Sequence, residues 1–302
     1  MSRAARFYEF GDASVITIDD VPAPMPGAGQ VRIRVQASSL NRADVKVRRA
    51  LMLPGLPKSL PSGLGFDAAG IVDEVGEGVT GFAPGDEVFA LVLLRGLADY
   101  AVARATSVAR KPAALSWQAA GALATVGQTA LDVVASQTLT DEDTVLVSGA
   151  TGGVGVLVAQ LALREGATVL GTARADNAEF LRSLGVIPVE YGPSLAERIL
   201  ETGRDITVVF DQAGPDTVRA ALELGIDPAR INSTVDEAKE LGVRTVGQGR
   251  ADPERLEILA EQVADGSIVL PIGAEYPLSE IVPAFERFEA GHLRGKLAIR
   301  ID

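Results

Sequence analysis

Short stretches in which apolar and polar residues alternate dominate the first hundred residues of the chain. Where Pro or Gly bounds such a stretch we predict strands, at residues 15–18, 31–35, 69–75, 87–91 and 99–102. Pro-Gly turns at residues 24–27 and 83–86 supply the fixed and the permissive φ angles that tight reversals need. The pattern predicts a β-rich domain.

From Trp117 onward, amphipathic stretches at helical spacing alternate with short apolar runs. We predict helices at residues 117–136, 154–165, 177–184 and 215–224, and strands at residues 144–147, 168–171, 206–210 and 230–234. Such alternation is typical of a parallel sheet with helices on both faces. The fold class is therefore α/β, with a doubly wound sheet of the Rossmann type.

The end of the chain mixes both element types. The pattern predicts a helix at 254–265, a strand at 267–270, a helix at 278–289 and a closing strand at 296–301. We expect this tail to return to the first domain. The predicted domains are residues 1–116 with 268–302, and residues 117–267.

Glycines cluster where a predicted strand turns into a helix, at residues 148–155. Glycine allows a tight turn, and it lets a pyrophosphate approach the backbone N–H groups at the positive end of the helix. A further strand follows at the spacing of one βαβ unit, which is the context that the dinucleotide fingerprint requires. The predicted cofactor contacts in this turn are Ala150, Thr151, Gly152, Gly153 and Val154.

Composition narrows the possible partners. The 302 residues carry a formal charge of -12, which disfavours binding to nucleic acid and to anionic lipid. No apolar run approaches the length of a membrane span, and the first residues lack the apolar core of a signal peptide. We expect a cytoplasmic protein with no nucleic acid or membrane partner.

The chain has no cysteine and one histidine, His292. This excludes disulfides and every cysteine-based zinc site, and one histidine among carboxylates is a poor set of zinc ligands. We therefore expect no metal. His292 is not expected to be a general base, because nothing in the sequence places it near a reacting group.

Arg174 indicates which dinucleotide binds. It follows the second strand and the turn that contains Thr172, which is a further predicted cofactor contact. An NAD enzyme would place an acidic residue there, against the ribose 2′-hydroxyl. A guanidinium instead binds a 2′-phosphate, so the site favours NADP. The alternative is an exposed surface arginine, and Asp176 two residues later weakens the case for NADP.

Four strings together carry a family resemblance. They lie at residues 40–44, 59–70, 127–130 and 149–155, with further matches at 83–88 and 291–296. In this order they resemble the medium-chain dehydrogenase/reductase superfamily, in its zinc-independent quinone oxidoreductase (zeta-crystallin-like) branch. The resemblance covers nearly the whole chain.

The resemblance implies a GroES-like β-rich catalytic domain interrupted by a Rossmann domain, an active site in the cleft with NADPH bound across it, and a homodimer. In zinc alcohol dehydrogenases of the superfamily, a cysteine ligand stands at the position of Asn41 and a histidine ligand at that of Phe66. Without a Lewis acid, hydride transfer favours electrophilic acceptors such as quinones and α,β-unsaturated carbonyls. The alternative is a non-catalytic NADPH-binding sensor or structural protein on the same fold.

Asn41 and Asp44 are the candidate catalytic residues. The resemblance places Asn41 beside the nicotinamide, where a neutral amide can donate to an acceptor oxygen as charge develops. The alternative is structural, with Asn41 capping a helix and Asp44 in its first turn. We favour the functional interpretation for Asn41 and the structural one for Asp44.

Five further residues are candidate cofactor contacts: Thr129, Tyr191, Gln212, Ala213 and Lys296. Gln212 and Ala213 follow a strand at the carboxyl edge of the sheet, where backbone contact to the cofactor is expected. The resemblance places Thr129 near the nicotinamide and phosphates, and Tyr191 at the adenosine end. Thr129 alternatively adds only helix polarity, Tyr191 caps the sheet, and Lys296 either reaches a phosphate or flanks the last strand.

The chain also departs from the family. Residues 225–247 are compressed, and Lys46 and Met52 stand where members often carry tyrosines. The stretches 46–58 and 91–96 are expected to line the pocket of a hydrophobic carbonyl substrate.

Overall fold

The structure is a computed structural model that describes residues 2–51, 59–247 and 251–302. Contacts divide the chain into two compact units, Met1–Thr125 with Arg250–Asp302 (unit 1) and Val126–Gly249 (unit 2). Unit 1 is therefore assembled from both ends of the chain, with unit 2 inserted between them.

The strands, in chain order, are β1 (Ser2–Phe7), β2 (Ile16–Val21), β3 (Gln30–Ser39), β4 (Ser62–Gly63), β5 (Asp67–Val75), β6 (Glu87–Leu91), β7 (Tyr100–Arg104), β8 (Val108–Arg110), β9 (Thr144–Val147), β10 (Thr168–Ala173), β11 (Ile187–Glu190), β12 (Val208–Asp211), β13 (Ile231–Ser233), β14 (Arg244–Thr245), β15 (Ile272–Pro277) and β16 (Lys296–Arg300). The α-helices are α1 (Arg42–Arg48), α2 (Trp117–Ala135), α3 (Gly153–Arg164), α4 (Ala178–Ser183), α5 (Leu195–Glu201), α6 (Pro215–Glu223), α7 (Pro253–Ala264) and α8 (Ile281–Glu289). Single turns of 3-10 helix lie at Ala13–Val15, Ala105–Ser107, Ala175–Asn177, Pro228–Arg230 and Leu278–Glu280, and a longer one at Asp236–Leu241.

Unit 1 is built on a sheet with the strand order β15-β16-β3-β5-β6-β8, and β7 also pairs with β3. A smaller sheet joins β1 to β2 and β4. The closing strand β16 runs antiparallel to β3, with Ala298 opposite Ser39, so the tail returns to the first part of the chain as expected. Because β3 also pairs with β5, the end of β3 lies between the start of β5 and the start of β16. Phe7, Val31 and Leu297 are among the fully buried residues of its core.

Unit 2 contains a sheet with the order β11-β10-β9-β12-β13-β14. Neighbouring strands pair in parallel throughout, and residues such as Leu146, Val209 and Ile231 are fully buried. Numbered from β9, this is the 3-2-1-4-5-6 order of a Rossmann sheet, which confirms the predicted fold class. The order reverses between β9 and β12, and ligands bind at the carboxyl ends of the strands around such a switch point.

The unit borders differ from the domain borders predicted at residues 116/117 and 267/268. Helix α2 begins within unit 1, where the backbone N–H of Thr125 donates to Asp67 at 2.7 Å. Helix α7 belongs to unit 1 as well, and its Glu257 carboxylate accepts from the backbone N–H of Arg110 at 2.7 Å. Helical periodicity identifies an apolar face, but it does not say which sheet covers that face.

The strand predicted at 267–270 is wrong. These residues close the end of α7, because the N–H of Ser267 donates to Asp265 and that of Ile268 donates to the carbonyl of Gln262. The strand begins later, at Ile272, where β15 pairs with β16. Within the described ranges, none of the helices is both long and apolar enough to cross a membrane.

Candidate functional site

The turn between β9 and α3 is held very tightly. Gly149 adopts a φ of +58°, and a Cβ atom placed on Gly155 would lie 2.2 Å from the carbonyl oxygen of Gly149. The N–H of Gly152 donates to the same oxygen at 2.9 Å. The turn at residues 148–152 leads into α3. The N–H groups of the first residues of the helix, Gly153 and Val154, have no acceptor within the helix. This arrangement fits a pyrophosphate.

Two predicted contact residues support the turn from behind. Thr172 is 2% exposed, and its hydroxyl accepts from the N–H of Gly149 at 3.1 Å. Its carbonyl accepts from the N–H of Ala150, also at 3.1 Å, and Ala150 is fully buried. These two residues fix the position of the turn, and Thr151 to Val154 are the half-buried part that a ligand can reach.

A buried serine and aspartate join the ends of β9 and β12. Asp211 is fully buried, and its Oδ1 accepts from the hydroxyl of Ser148 at 2.5 Å while its Oδ2 accepts from Ser233, also at 2.5 Å. The Ser148 hydroxyl accepts in turn from the N–H groups of Gln212 and Ala213 at 2.7 and 3.0 Å. Both N–H groups are thus engaged inside unit 2, so a contact of these residues to a cofactor would use side-chain or carbonyl atoms.

The amide of Gln212 supplies such an atom. Its Oε1 accepts from the Thr234 hydroxyl at 2.9 Å. Its Nε2 is buried and, among the described residues, has no hydrogen-bond partner. An unsatisfied buried donor is destabilising, and an acceptor on a bound ligand would satisfy it. Together with the glycine turn, this donor fits a dinucleotide.

The predicted adenosine contacts lie at the surface. Arg174 follows β10, and its Nη2 is 3.5 Å from the Asp176 carboxylate, with side-chain exposures of 44% and 64%. Tyr191 follows the neighbouring strand β11 and is half exposed. Thr129 is half-buried on α2, where its methyl group would lie 2.7 Å from a Cβ on Gly247. At the surface, the Arg174 guanidinium is therefore paired with a carboxylate of its own chain, that of Asp176.

A second polar cluster, the Asp67 cluster, lies inside unit 1. Asp67 is fully buried at the start of β5, and its Oδ2 accepts from the Ser39 hydroxyl at 2.8 Å and from Nδ2 of Asn41 at 2.7 Å. Its Oδ1 accepts from the N–H of Thr125 at 2.7 Å. Lys296, at the start of β16, donates to Oδ1 of Asn41 at 2.6 Å, and its Nζ is 3.9 Å from Oδ2 of Asp67. These residues meet where β3, β5 and β16 lie side by side.

Asp44 borders this cluster. Its carboxylate accepts from the backbone N–H of Asn41 at 2.9 Å and of Gly65 at 2.7 Å. Asn41 stands at the N-cap of α1, so Asp44 has the first-turn position that the structural interpretation describes. Burial raises the pKa of Asp44 to about 7, although the two N–H groups oppose the shift. Burial lowers the pKa of Lys296, and the charges of Asp67 and Asp44 oppose that shift.

Comparison with known proteins places this geometry in a family. Residues 27–125 match the alcohol dehydrogenase GroES-like domain, and residues 128–299 match the zinc-binding dehydrogenase domain. A chloroplast envelope quinone oxidoreductase homolog from Arabidopsis thaliana is 30% identical over 315 residues, covering 96% of this chain and 95% of its own length. The chain belongs to the medium-chain dehydrogenase/reductase family, in its quinone oxidoreductase branch.

Solved structures of this family have the same architecture. The quinone oxidoreductase from Coxiella burnetii matches with a TM-score of 0.90 at 30% identity, over 100% of this chain and 99% of its own. The Escherichia coli quinone oxidoreductase, solved as a complex with NADPH, matches with a TM-score of 0.84 at 26% identity, over 99% and 100%. The predicted combination of a GroES-like and a Rossmann domain is confirmed.

Two buried residues of the site, Asp67 and Ser148, were not predicted from the sequence. Asp67 lies in one of the strings that carry the resemblance, and Ser148 opens the glycine turn. A charged residue directly before the apolar run at residues 68–72 was the available signal for Asp67. The predicted substrate stretch 46–58 lies mostly outside the described residues, since the structure describes only 46–51 of it.

Proposed function

We propose that the chain is an NADPH-dependent oxidoreductase that works without a metal and reduces a quinone or an α,β-unsaturated carbonyl. Family membership supports the reaction class. The metal-free form is supported by the Asn41 amide, which stands where zinc alcohol dehydrogenases of the family carry a cysteine ligand and is bonded to Lys296 and Asp67. Phe66 stands at the position of a histidine ligand. Among the described residues, no group of three or more His, Cys, Asp or Glu side chains is placed to hold a metal ion. The donor set does not fit zinc.

NADPH, when bound, supplies the hydride. The N–H groups of Gly153 and Val154 and the Gln212 amide would hold it in unit 2, with Arg174 near the 2′-phosphate. The family resemblance implies that Asn41 lies beside the nicotinamide, where its amide would donate to the acceptor oxygen as negative charge develops. Water serves as the proton source, because a reduced quinone or an enolate needs no dedicated acid.

A cofactor and substrate panel tests the proposal. NADPH and NADH would each be combined with quinones and enals, and oxidation of the nicotinamide followed by absorbance, with zinc determined by elemental analysis on the same sample. We expect turnover with NADPH and no stoichiometric zinc. Absence of oxidation with every acceptor contradicts the proposal. Saturable NADPH binding without turnover would favour the non-catalytic cofactor-binding protein instead.

The homodimer stays a prediction, which sedimentation velocity tests directly. The cytoplasmic location is likewise a prediction of the sequence analysis.

A further inference from the structure

The ammonium group of Lys296 is held inside unit 1. The residue is 3% exposed, and its Nζ donates to the carbonyl of Leu40 at 2.9 Å and to Oδ1 of Asn41 at 2.6 Å. A contact to a cofactor phosphate would require this buried group to leave both acceptors. The bonds instead direct its charge toward the Asn41 amide.

The amide of Asn41 has one orientation that its partners tolerate. Its Oδ1 faces the Lys296 ammonium, and its Nδ2 donates to the Asp67 carboxylate at 2.7 Å. A half-turn of the amide would place a donor against the ammonium and an acceptor against the carboxylate. Both contacts would be repulsive, so the two charges together fix which end is the donor.

The Asp67 carboxylate is itself fixed from two sides. The Ser39 hydroxyl donates to Oδ2 at 2.8 Å, and the Thr125 N–H donates to Oδ1 at 2.7 Å. The Ser38 hydroxyl donates to the Asp67 carbonyl at 2.6 Å. The carboxylate therefore cannot follow a rotating amide, and its orientation is passed on to Asn41.

We infer that Lys296 and Asp67 are positioning residues that clamp the Asn41 amide so that its second N–H is presented to the acceptor oxygen. The inference rests on the proposed function. One hydrogen of Nδ2 is used by Asp67, which leaves the other to donate, and 7% of the Asn41 surface is exposed. Hydrogen bonding of the amide oxygen to an ammonium also polarises the amide, which strengthens its N–H as a donor.

Three roles of Lys296, a phosphate contact, a purely structural role and the clamp, predict different effects of its substitution. A phosphate contact predicts weaker NADPH binding when the charge is removed. A purely structural role predicts lower stability with catalysis unchanged in the folded fraction. A clamp predicts a lower kcat, with the affinity for NADPH retained.

The test compares Lys296→Met, Asn41→Ala and the double variant. Lys296→Met should lower kcat about 10- to 100-fold, the effect of one charge-assisted hydrogen bond on the barrier. The dissociation constant of NADPH, measured by fluorescence titration, should stay within about twofold. The double variant should be no slower than Asn41→Ala alone, because the lysine acts through the amide.

Two further variants separate the clamp from folding effects. Lys296→Met with Asp67→Asn removes both charges together, so Asp67 is not left as an unpaired buried charge if the single variant fails to fold. It should fold and still lose kcat, and a neutron structure, which distinguishes the amide nitrogen from the oxygen, should show the Asn41 amide in two orientations. Lys111→Met is the matched control, since Lys111 is also a buried lysine of unit 1 that donates to a carboxylate, that of Glu87, at 2.9 Å.

Several outcomes would overturn the clamp. These are a tenfold weaker NADPH affinity with kcat retained, an unchanged kcat, effects of Lys296→Met and Asn41→Ala that multiply, or an equal loss of kcat in Lys111→Met. If the wild type itself reduces no quinone or enal, the proposed function fails. The amide orientation in the charge-free double variant then still decides whether the clamp exists.

Discussion

The carboxyl group of Asp44 shows how burial changes the chemistry of a single side chain. Both of its oxygens accept backbone N–H groups, which favour the ionised form. Removal from water outweighs them, and the pKa rises to about 7. The charged groups that face it oppose each other, since Asp67 raises this pKa and Lys296 lowers it.

A pH dependence of stability follows. Because the folded-state pKa of Asp44 lies above its unfolded value of 3.8, the folded state binds more protons between these two values. The free energy of unfolding should therefore fall as pH rises from about 4 to about 7, by at most about 1.4 kcal/mol per pH unit. Denaturant unfolding across this range measures it, and Asp44→Asn should remove this component.

Asp12→Asn is the control for that measurement. The Asp12 carboxylate accepts from Ser14, which lowers its pKa, so its contribution changes only below its unfolded value of 3.8. The slope between about pH 4 and about pH 7 should survive in this variant. An Asp44→Asn variant with the wild-type slope would show that another group titrates.

We expect the pair of Arg174 and Asp176 to influence the choice of cofactor at the adenosine end. The Asp176 carboxylate would compete with a 2′-phosphate for the guanidinium, and both side chains are exposed. Arg174→Ala should raise KM for NADPH about tenfold, with little change for NADH, whereas Asp176→Asn should lower KM for NADPH. Steady-state kinetics with both cofactors measures this. Retained NADPH preference in Arg174→Ala would exclude the guanidinium as the phosphate contact.

Among the elements, the turn between β9 and α3 leaves no room for a side chain at Gly155. A methyl group at Gly155 would meet the Gly149 carbonyl, so Gly155→Ala must open the turn. We expect a loss of stability of about 1–3 kcal/mol. NADPH affinity should fall at least about tenfold, since the first N–H groups of α3 move. Calorimetric titration and denaturant unfolding measure the two effects.

Gly203→Ala is the comparison for that variant. Gly203 has a φ of +67° and no atom within 4 Å of an added Cβ, so the change introduces backbone strain without a clash. It should lower stability by about 1–2 kcal/mol and leave NADPH affinity unchanged. Equal loss of affinity in both variants would mean that general destabilisation, and not the turn, is responsible.

Elements with a clear period could be predicted from the sequence, and those defined by their neighbours could not. The strand at 144–147 and the helix from Trp117 have the predicted positions because their apolar patterns are unbroken. The strand β11 was not predicted, and Pro188 lies within it. In the site, the glycine turn was visible as a local string. The hydrogen bond between Lys296 and Asn41 was not visible in the sequence. These residues are 255 positions apart, and only the pairing of β16 with β3 brings them together.

At the scale of the whole molecule, each unit has a core of its own, and the single tryptophan reports on one of them. Trp117 lies in unit 1, where the Lys111 ammonium is 4.5 Å from its ring centre. Circular dichroism reports on both units. The two probes therefore separate unfolding of unit 1 from that of the chain as a whole.

NADPH should move the two probes differently. Binding through the glycine turn should stabilise unit 2 by about 2.7 kcal/mol at a hundredfold excess over the dissociation constant. The midpoint by circular dichroism should rise more than the midpoint by Trp117 fluorescence. At the same NADPH concentration, Gly155→Ala should show at most about half of the stabilisation, because its affinity is at least about tenfold lower. Coincident midpoints with and without NADPH would mean that the two units unfold as one.

Lys296, which is bonded to the Asn41 amide, also affects how this chain could be redesigned as a zinc enzyme. Asn41→Cys with Phe66→His would reproduce two ligand types of the zinc-dependent relatives. The Lys296 ammonium, 2.6 Å from the amide oxygen of Asn41, would then pair with the new thiolate and repel the divalent ion. A change from the proposed metal-free chemistry to zinc chemistry would therefore require a third substitution, at Lys296 near the end of the chain, that removes this positive charge.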